Sequence, residues 1–284
     1  MKTGIVVEGG GMKCVYSSGI LDRLLDDKIT FDYGIGVSAG AANLITFIAG
    51  QRERTYRFYA KYSKRKEYMS FENMIKNKSY LNLEYIYGTL SNAGGEDPLC
   101  YEAFAANPME FEAVWTDSRT GKPVYAGRDM VKKNDYKSLM ATCAMPIFSR
   151  GIVIDGVRYY DGGSVDPLPV KRALEMGCDR LMIILAQPRD YVKPPQNMRL
   201  VYATHYRKNK ELVKAIDNRH IVHRENKELA FKLEKEGRAL IIAPSEKPKM
   251  RTLGVDVEQI NELYNLALKD YGNTKEKWLE IVSK

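Results

Sequence analysis

Three short stretches of this chain carry residue types whose spacing could do chemistry. Gly36-Val37-Ser38-Ala39-Gly40 fits the pattern G-x-S-x-G, in which a sharp strand-to-helix turn strains a serine's backbone and lifts its hydroxyl clear of a sheet. Glycines two residues to either side are needed there because strand and helix cross too closely for a Cβ. Gly9-Gly10-Gly11-Met12-Lys13 could aim successive backbone N–H groups at one point, forming a nest for an anion with a helix dipole behind it. It is neither a dinucleotide fingerprint, since Cys14 stands where the last glycine belongs, nor a P-loop, whose lysine lies further along. If Ser38 attacked a carbonyl carbon, the tetrahedral intermediate would carry a negative oxygen, and the Gly9–Gly11 nest is the natural place for that charge.

A serine nucleophile needs a base. The chain has three histidines, His205, His220 and His223, all in a charged late region. Asp161-Gly162-Gly163 directly follows the apolar stretch Val157–Tyr160, and a carboxylate at a strand end beside glycines can be turned toward a neighbouring serine. A hydrolase triad in the chain order Ser, acid, His is also satisfied by Ser38, Asp161 and His205. On the residues alone, both bases stay open.

The elements that must position these groups follow from periodicity. Gly4–Val7 and Tyr33–Val37 read as short buried strands, each ending at one of the glycine motifs. Ser17–Asp27 has apolar residues at helical spacing, and Ala39–Ala49 is an apolar helix. Phe111–Thr116 and Pro123–Ala126 flank a turn, and Ile152–Ile154 and Val157–Tyr160 flank Asp155-Gly156, a strong hairpin signal. Leu168–Met176 reads as helix, Arg180–Ala186 as strand, Leu200–Glu236 as a long charged helical region, Leu240–Ala243 as a last strand and Val257–Val282 as a helical tail. Strands alternating with helices predict an α/β sheet flanked by helices. There is no repeat and no convincing linker, so one domain over residues 1–284 is expected, with a helical C-terminal extension over about 200–284.

Composition bounds the function classes. Hydrophobic residues make up 44% and charged residues 28% of 284, as expected of a globular chain with a sizeable core. Glu8 and the glycines interrupt any signal-peptide core. The run Ala39–Ala49 contains Asn43 and is far short of the ~20 residues that span a bilayer. A cytoplasmic protein is expected. Cys14, Cys100, Cys143 and Cys178 are scattered singly, which supports neither a zinc site nor a disulfide framework. The net charge of +8 suggests an acidic partner. Arg52–Lys66 interleaves basic residues, among them Arg57, Lys61, Lys64 and Arg65, with Tyr56, Phe58, Tyr59 and Tyr62. It suits either a solvated basic face with tyrosines packed inward or peripheral contact with an anionic membrane at its inner face. No nucleic-acid module accompanies it. His220 and His223 lack a third metal ligand, so exposed helix histidines are expected, and Arg207–Lys235 reads as a solvated helical face.

The order of the three motifs resembles the patatin-like phospholipase family. Further matches are Thr116-Asp117 before Thr120-Gly121-Lys122-Pro123, Ala141 through Ala144-Met145-Pro146, and Pro167–Gly177. The resemblance covers roughly residues 1–190, and Cys14 replaces a glycine usual in the family. It implies a three-layer α/β/α fold and a lipid acyl ester hydrolase of phospholipase A or lysophospholipase type. Ser38 would be nucleophile and Asp161 proton acceptor, with Gly9, Gly10, Gly11 and Lys13 at the oxyanion hole. Gly36, Gly40, Gly162 and Gly163 would shape the two turns, and neither calcium nor a cofactor is implied. The alternatives are an esterase with a histidine-containing triad and a lipid-binding module without catalysis.

Overall fold

A computed structural model describes residues 1–283. Its parallel strands are β1 (Thr3–Val7), β2 (Tyr33–Val37), β3 (Glu110–Asp117), β7 (Arg180–Ile184) and β8 (Ala239–Ile242), lying side by side in the order β3-β2-β1-β7-β8. The remaining strands are antiparallel: β4 (Pro123–Gly127) pairs with β3, and β5 (Ile152–Ile154) with β6 (Val157–Asp161). That second hairpin turns through Asp155 and Gly156, with φ of 48° and 75°, the paired left-handed geometry of a two-residue loop matched to strand twist.

The central strands are apolar throughout because both faces of the sheet are covered. Ile5, Val7, Met182 and Ile184 point to one side, into a core shared with α1 (Val15–Asp26), α2 (Ala39–Ile48) and α10 (Val257–Tyr271). Val6, Leu181 and Ile183 point to the other, toward α7 (Val170–Glu175) and α9 (Lys210–Lys235). This is the expected sheet between helical layers. The short helices α3 (Arg54–Ala60), α4 (Phe71–Asn77), α5 (Tyr101–Ala106) and α6 (Lys137–Cys143) fill the stretch between β2 and β6. The late segment joins the same sheet: β8 pairs with β7 in parallel, and α10 packs on α1 so closely that a Cβ on Gly19 would meet Ala267 Cβ at 2.8 Å.

Two expected helices are broken. Leu200–Glu236 divides into α8 (Arg199–His205) and α9, with Asn209 leaving helical geometry to donate its side-chain N–H to Ser118 O. The tail divides into α10 and α11 (Thr274–Val282) at Gly272, whose φ is +42°. Arg207–Lys235 is not simply a solvated face, since α9 buries Leu212, Ile216, His223, Asn226, Ala230 and Leu233 at three- and four-residue spacing. Among the described residues no helix is long and apolar enough to cross a membrane.

Candidate active site

Strand register brings Ser38 and Asp161 together. β2 pairs with β3 as far as Val37 opposite Val114, and β6 pairs with β3 beginning at Asp161 opposite Trp115. β4 runs antiparallel along the opposite edge, spanning Glu112–Thr116. Thus β2 leaves one edge of β3 where β6 arrives on that same edge, and the residue after Val37 adjoins Asp161. A Cβ on Gly162 would lie 2.3 Å from Val114 O, so only glycine lets the chain turn at that junction.

Ser38 has φ 55° and ψ −131°, a positive-φ conformation unfavourable for a residue with a side chain. Its N–H donates to Thr142 Oγ1 at 2.9 Å, and that hydroxyl donates to Val114 O at 2.7 Å. The turn is tight: a Cβ on Gly40 would meet the carbonyl oxygens of Val7 and Glu8 at 2.6 Å, and one on Gly36 would meet Ala41 Cα at 2.5 Å. Asp161 receives Gly163 N–H at 2.7 Å and lines the same cavity as Ser38, whose hydroxyl favours the charged form of its carboxyl. Its main chain is held by Thr116 Oγ1 and by Ala144 O. Burial raises the Asp161 carboxyl above its usual range, against the hydrogen bonds from Ser38 and Gly163 and the charges of Arg219 and Lys193. The Cys143 thiol beside Ser38 is pushed by burial up to about 12, so it stays neutral.

The glycine loop arches over Ser38. A Cβ on Gly9 would meet Val37 O at 2.8 Å, and Gly11 takes φ +58° to start a 3₁₀ turn through Cys14. No backbone acceptor among the described residues takes the N–H of Gly9 or Gly10. Lys13 is half-buried beside them. Cys14 is fully buried, with its thiol directed at Glu8 O, and α1 packs closely despite it.

Two cavities meet at this point, and Gly11, Ser38, Met145 and Thr252 line both. One, of about 170 Å³, holds Asp161 with Lys13, Lys193, Gln196 and Arg219 on its walls. The other is apolar, walled by Ile45, Phe58, Leu83, Ile86, Leu99 and Leu139 among others.

The histidines do not line either cavity. His205 is exposed, but the exposure expected of the α9 histidines is not found: His220 is half-buried, and His223 is 2% exposed with its Nε2 2.8 Å from Glu8 Oε1. Glu8 Oε2 accepts Ala186 N–H at 2.8 Å. Burial raises the Glu8 carboxyl, yet the His223 contact and the charge of Lys193 bring it below its usual value. Glu8 thereby ties the glycine loop to the end of β7 and to α9. An acid at the end of an apolar strand is its only sequence signal, Thr142 lies only within the Ala141–Pro146 match, His223 stands out only as a histidine, and Lys193 and Arg219 have no signal.

The Arg52–Lys66 stretch buries Phe58, Tyr59 and Tyr62. Its cations are largely committed, Arg54 and Arg57 to Asp97, and Lys61 and Arg65 to Glu96.

A family model described as patatin-like phospholipase matches residues 5–174, and a domain of unknown function, DUF6363, matches residues 209–283. The uncharacterized protein YjjU of Escherichia coli (strain K12) is 27% identical over 199 residues, 69% of this chain and 55% of YjjU, so the chain spans about half the length of that curated relative. The crystal structure of VipD from Legionella pneumophila aligns with 12% identity and a TM-score of 0.47, covering 99% of this chain and 67% of VipD. The first match spans well over half of the chain and contains the glycine loop, the Ser38 turn and Asp161, and the chain therefore belongs to the patatin-like phospholipase family.

Proposed function

We propose that this protein hydrolyses lipid acyl esters in the manner of a phospholipase A or lysophospholipase, with Ser38 as nucleophile and Asp161 as its base. The observation that carries this reading is the exchange of β2 for β6 on the edge of β3, which sets a buried carboxyl beside a strained serine hydroxyl. Ser38 Oγ bonds to the acyl carbon as its proton passes to Asp161. The resulting oxyanion faces the unused N–H groups of the glycine loop, Gly9 to Gly11, with Lys13 adding positive potential. Collapse breaks the ester bond, and Asp161 returns the proton to the departing alcohol. Water then attacks the acyl-enzyme with Asp161 again as base, releasing the fatty acid and restoring Ser38.

The mainly apolar cavity walled by Ile45, Phe58 and Leu83 suits an acyl chain, and the cavity that holds Asp161, with Lys13, Lys193 and Arg219 on its walls, suits the alcohol portion. Lipid contact fits the segment beside the Asp161 cavity, where the exposed Val192 and Leu200 stand close in sequence to the lining residues Lys193 and Met198. The Arg52–Lys66 stretch suits it less, because four of its cations, Arg54, Arg57, Lys61 and Arg65, are paired with Asp97 and Glu96. A histidine triad is disfavoured because no histidine lines the cavity and His223 is engaged by Glu8.

A fluorophosphonate probe should label Ser38, and Ser38→Ala should abolish labelling and ester turnover. Asp161→Asn should lower turnover by at least about 100-fold, whereas His205→Ala and His220→Ala should each stay within about tenfold, against the several orders of magnitude lost when a triad histidine is removed. Normal turnover in folded Ser38→Ala would overturn the reading.

A further inference from the structure

Three cations from separate parts of the chain line the cavity that holds Ser38 and Asp161. Lys13 follows the glycine loop, Lys193 lies in the loop after β7, and Arg219 projects from α9, between the buried Ile216 and His223. Among the described residues none of the three forms an ion pair, although Arg57, Arg172 and Arg199 elsewhere each hold a carboxylate. Arg219 Nη1 donates to Gln196 Oε1 at 2.6 Å, but its Nε is buried without any partner. A buried donor left unused is uncommon in a folded protein, and this one remains free to take an acceptor.

The nearby carboxylates do not supply one. Glu8 is occupied by His223 and Ala186 N–H, and Asp161 accepts Gly163 N–H and forms no ion pair with any of the three cations. Burial lowers Lys193 to about 8, with the charge of Arg219 acting in the same direction, and burial also lowers Lys13 and Arg219. Desolvated like charges around one cavity disfavour one another, and a multiply charged anion among them removes that penalty. The three cations line the cavity that holds Asp161 and none of them lines the second cavity, so on the hydrolase reading they would face the alcohol half of an ester whose acyl chain enters the second.

We propose that Lys13, Lys193 and Arg219 form a subsite for a phosphate group carried by the alcohol portion of the substrate. The ester cleaved is then that of a phosphorylated alcohol, with a phosphomonoester such as an acylglycerol phosphate fitting better than a neutral acylglycerol. This rests on the hydrolase reading for the placement of the alcohol, and binding tests it apart from catalysis.

The test uses Ser38→Ala protein and titration calorimetry with 1-oleoylglycerol 3-phosphate and 1-oleoylglycerol below micellar concentrations. The phosphorylated ligand should bind at least about tenfold more tightly, as charge-assisted hydrogen bonds to a partly buried cation site allow. Arg219→Met and Lys193→Met should each remove most of that difference while leaving the neutral ligand within about twofold of its parent affinity. Should Arg219→Met fail to fold by circular dichroism, Lys193→Met in the loop after β7 decides. Glycerol 3-phosphate should displace the phosphorylated ligand at lower concentration than inorganic phosphate does. Equal affinity for the two lipids, a preference surviving in the folded variants, or displacement by inorganic phosphate as readily as by glycerol 3-phosphate would each overturn the subsite. Turnover persisting in Ser38→Ala would instead overturn the nucleophile and leave the binding result standing.

Discussion

At Ser38 the backbone is held at φ 55° by its helix on one side and by Thr142 on the other. Strain of this kind persists only where the surroundings over-determine it. Asp161 lies buried next to it, and its carboxyl is raised by that burial, which has a consequence for pH. A raised carboxyl keeps its proton to higher pH, so the basic form needed to accept the Ser38 proton appears only as pH rises through the elevated value. The groups around it, Ser38, Cys143, Arg219 and Lys193, include two cations that act against the rise but do not cancel it. The kcat/KM profile should therefore show an acid limb centred above the ordinary aspartate range near 3.8, with loss of activity on the acid side. Initial rates on a neutral ester across pH 4 to 8 (roughly the window set by ordinary carboxyl and imidazole values) measure it. Activity already at its plateau at about pH 4 would count against Asp161 as the base.

The elements matter through what they pin. The loop before α5 is fastened to α3 by Asp97, which is 6% exposed. Asp97 accepts two hydrogen bonds from Arg57 and one from Tyr62 OH, and it faces the buried Arg54 at 3.6 Å. Burial lowers Arg54 to about 10 even with Asp97 beside it. Asp97→Ala should leave that guanidinium without a counter-charge and cost about 3–5 kcal/mol in urea unfolding. Arg57→Met, at a side chain 41% exposed, should cost only about 0–1 kcal/mol. Equal losses in the two variants would show that the buried charge is not what holds the loop.

Across the whole molecule, the segment matched by the second family model is part of the same sheet. It contributes β8 beside β7, α10 against α1, and the α9 residues Arg219 and His223 that reach the cavity and the glycine loop. Met198, which lines the cavity, and Val192 and Leu200, near lining residues in sequence, are each more than half exposed. If this face meets lipid, Val192→Ser with Leu200→Ser should weaken vesicle binding by at least about tenfold, since each apolar side chain contributes roughly 1 kcal/mol or more on burial. Lys64→Gln with Lys66→Gln, at basic residues of the Arg52–Lys66 stretch that form no ion pair among the described residues, should change binding by less than about twofold at physiological salt. Vesicle sedimentation compares the two, and the reverse order would move the contact to the basic stretch.

Much of the frame is legible in the sequence because it is set by local chemistry. Tyr33–Val37 is a strand because five buried positions end at a glycine turn, and Asp155-Gly156 makes a hairpin because both residues tolerate positive φ. The same locality exposes Ser38 and Asp161, since each sits at a strand end beside glycines that a tight crossing demands. What stays hidden depends on contacts between distant residues. His223 reads as one more polar residue on a charged helix, and its burial against Glu8, 215 residues away, follows only from how α9 lies across the sheet. The basic stretch reads as free because its partners, Glu96 and Asp97, lie on a loop about 30 to 40 residues further along, which only the folded chain returns to α3. Arg219 and Lys193 carry no motif, and only the packed sheet, with α9 and the β7 loop closing over one cavity, turns them from surface charges into its lining.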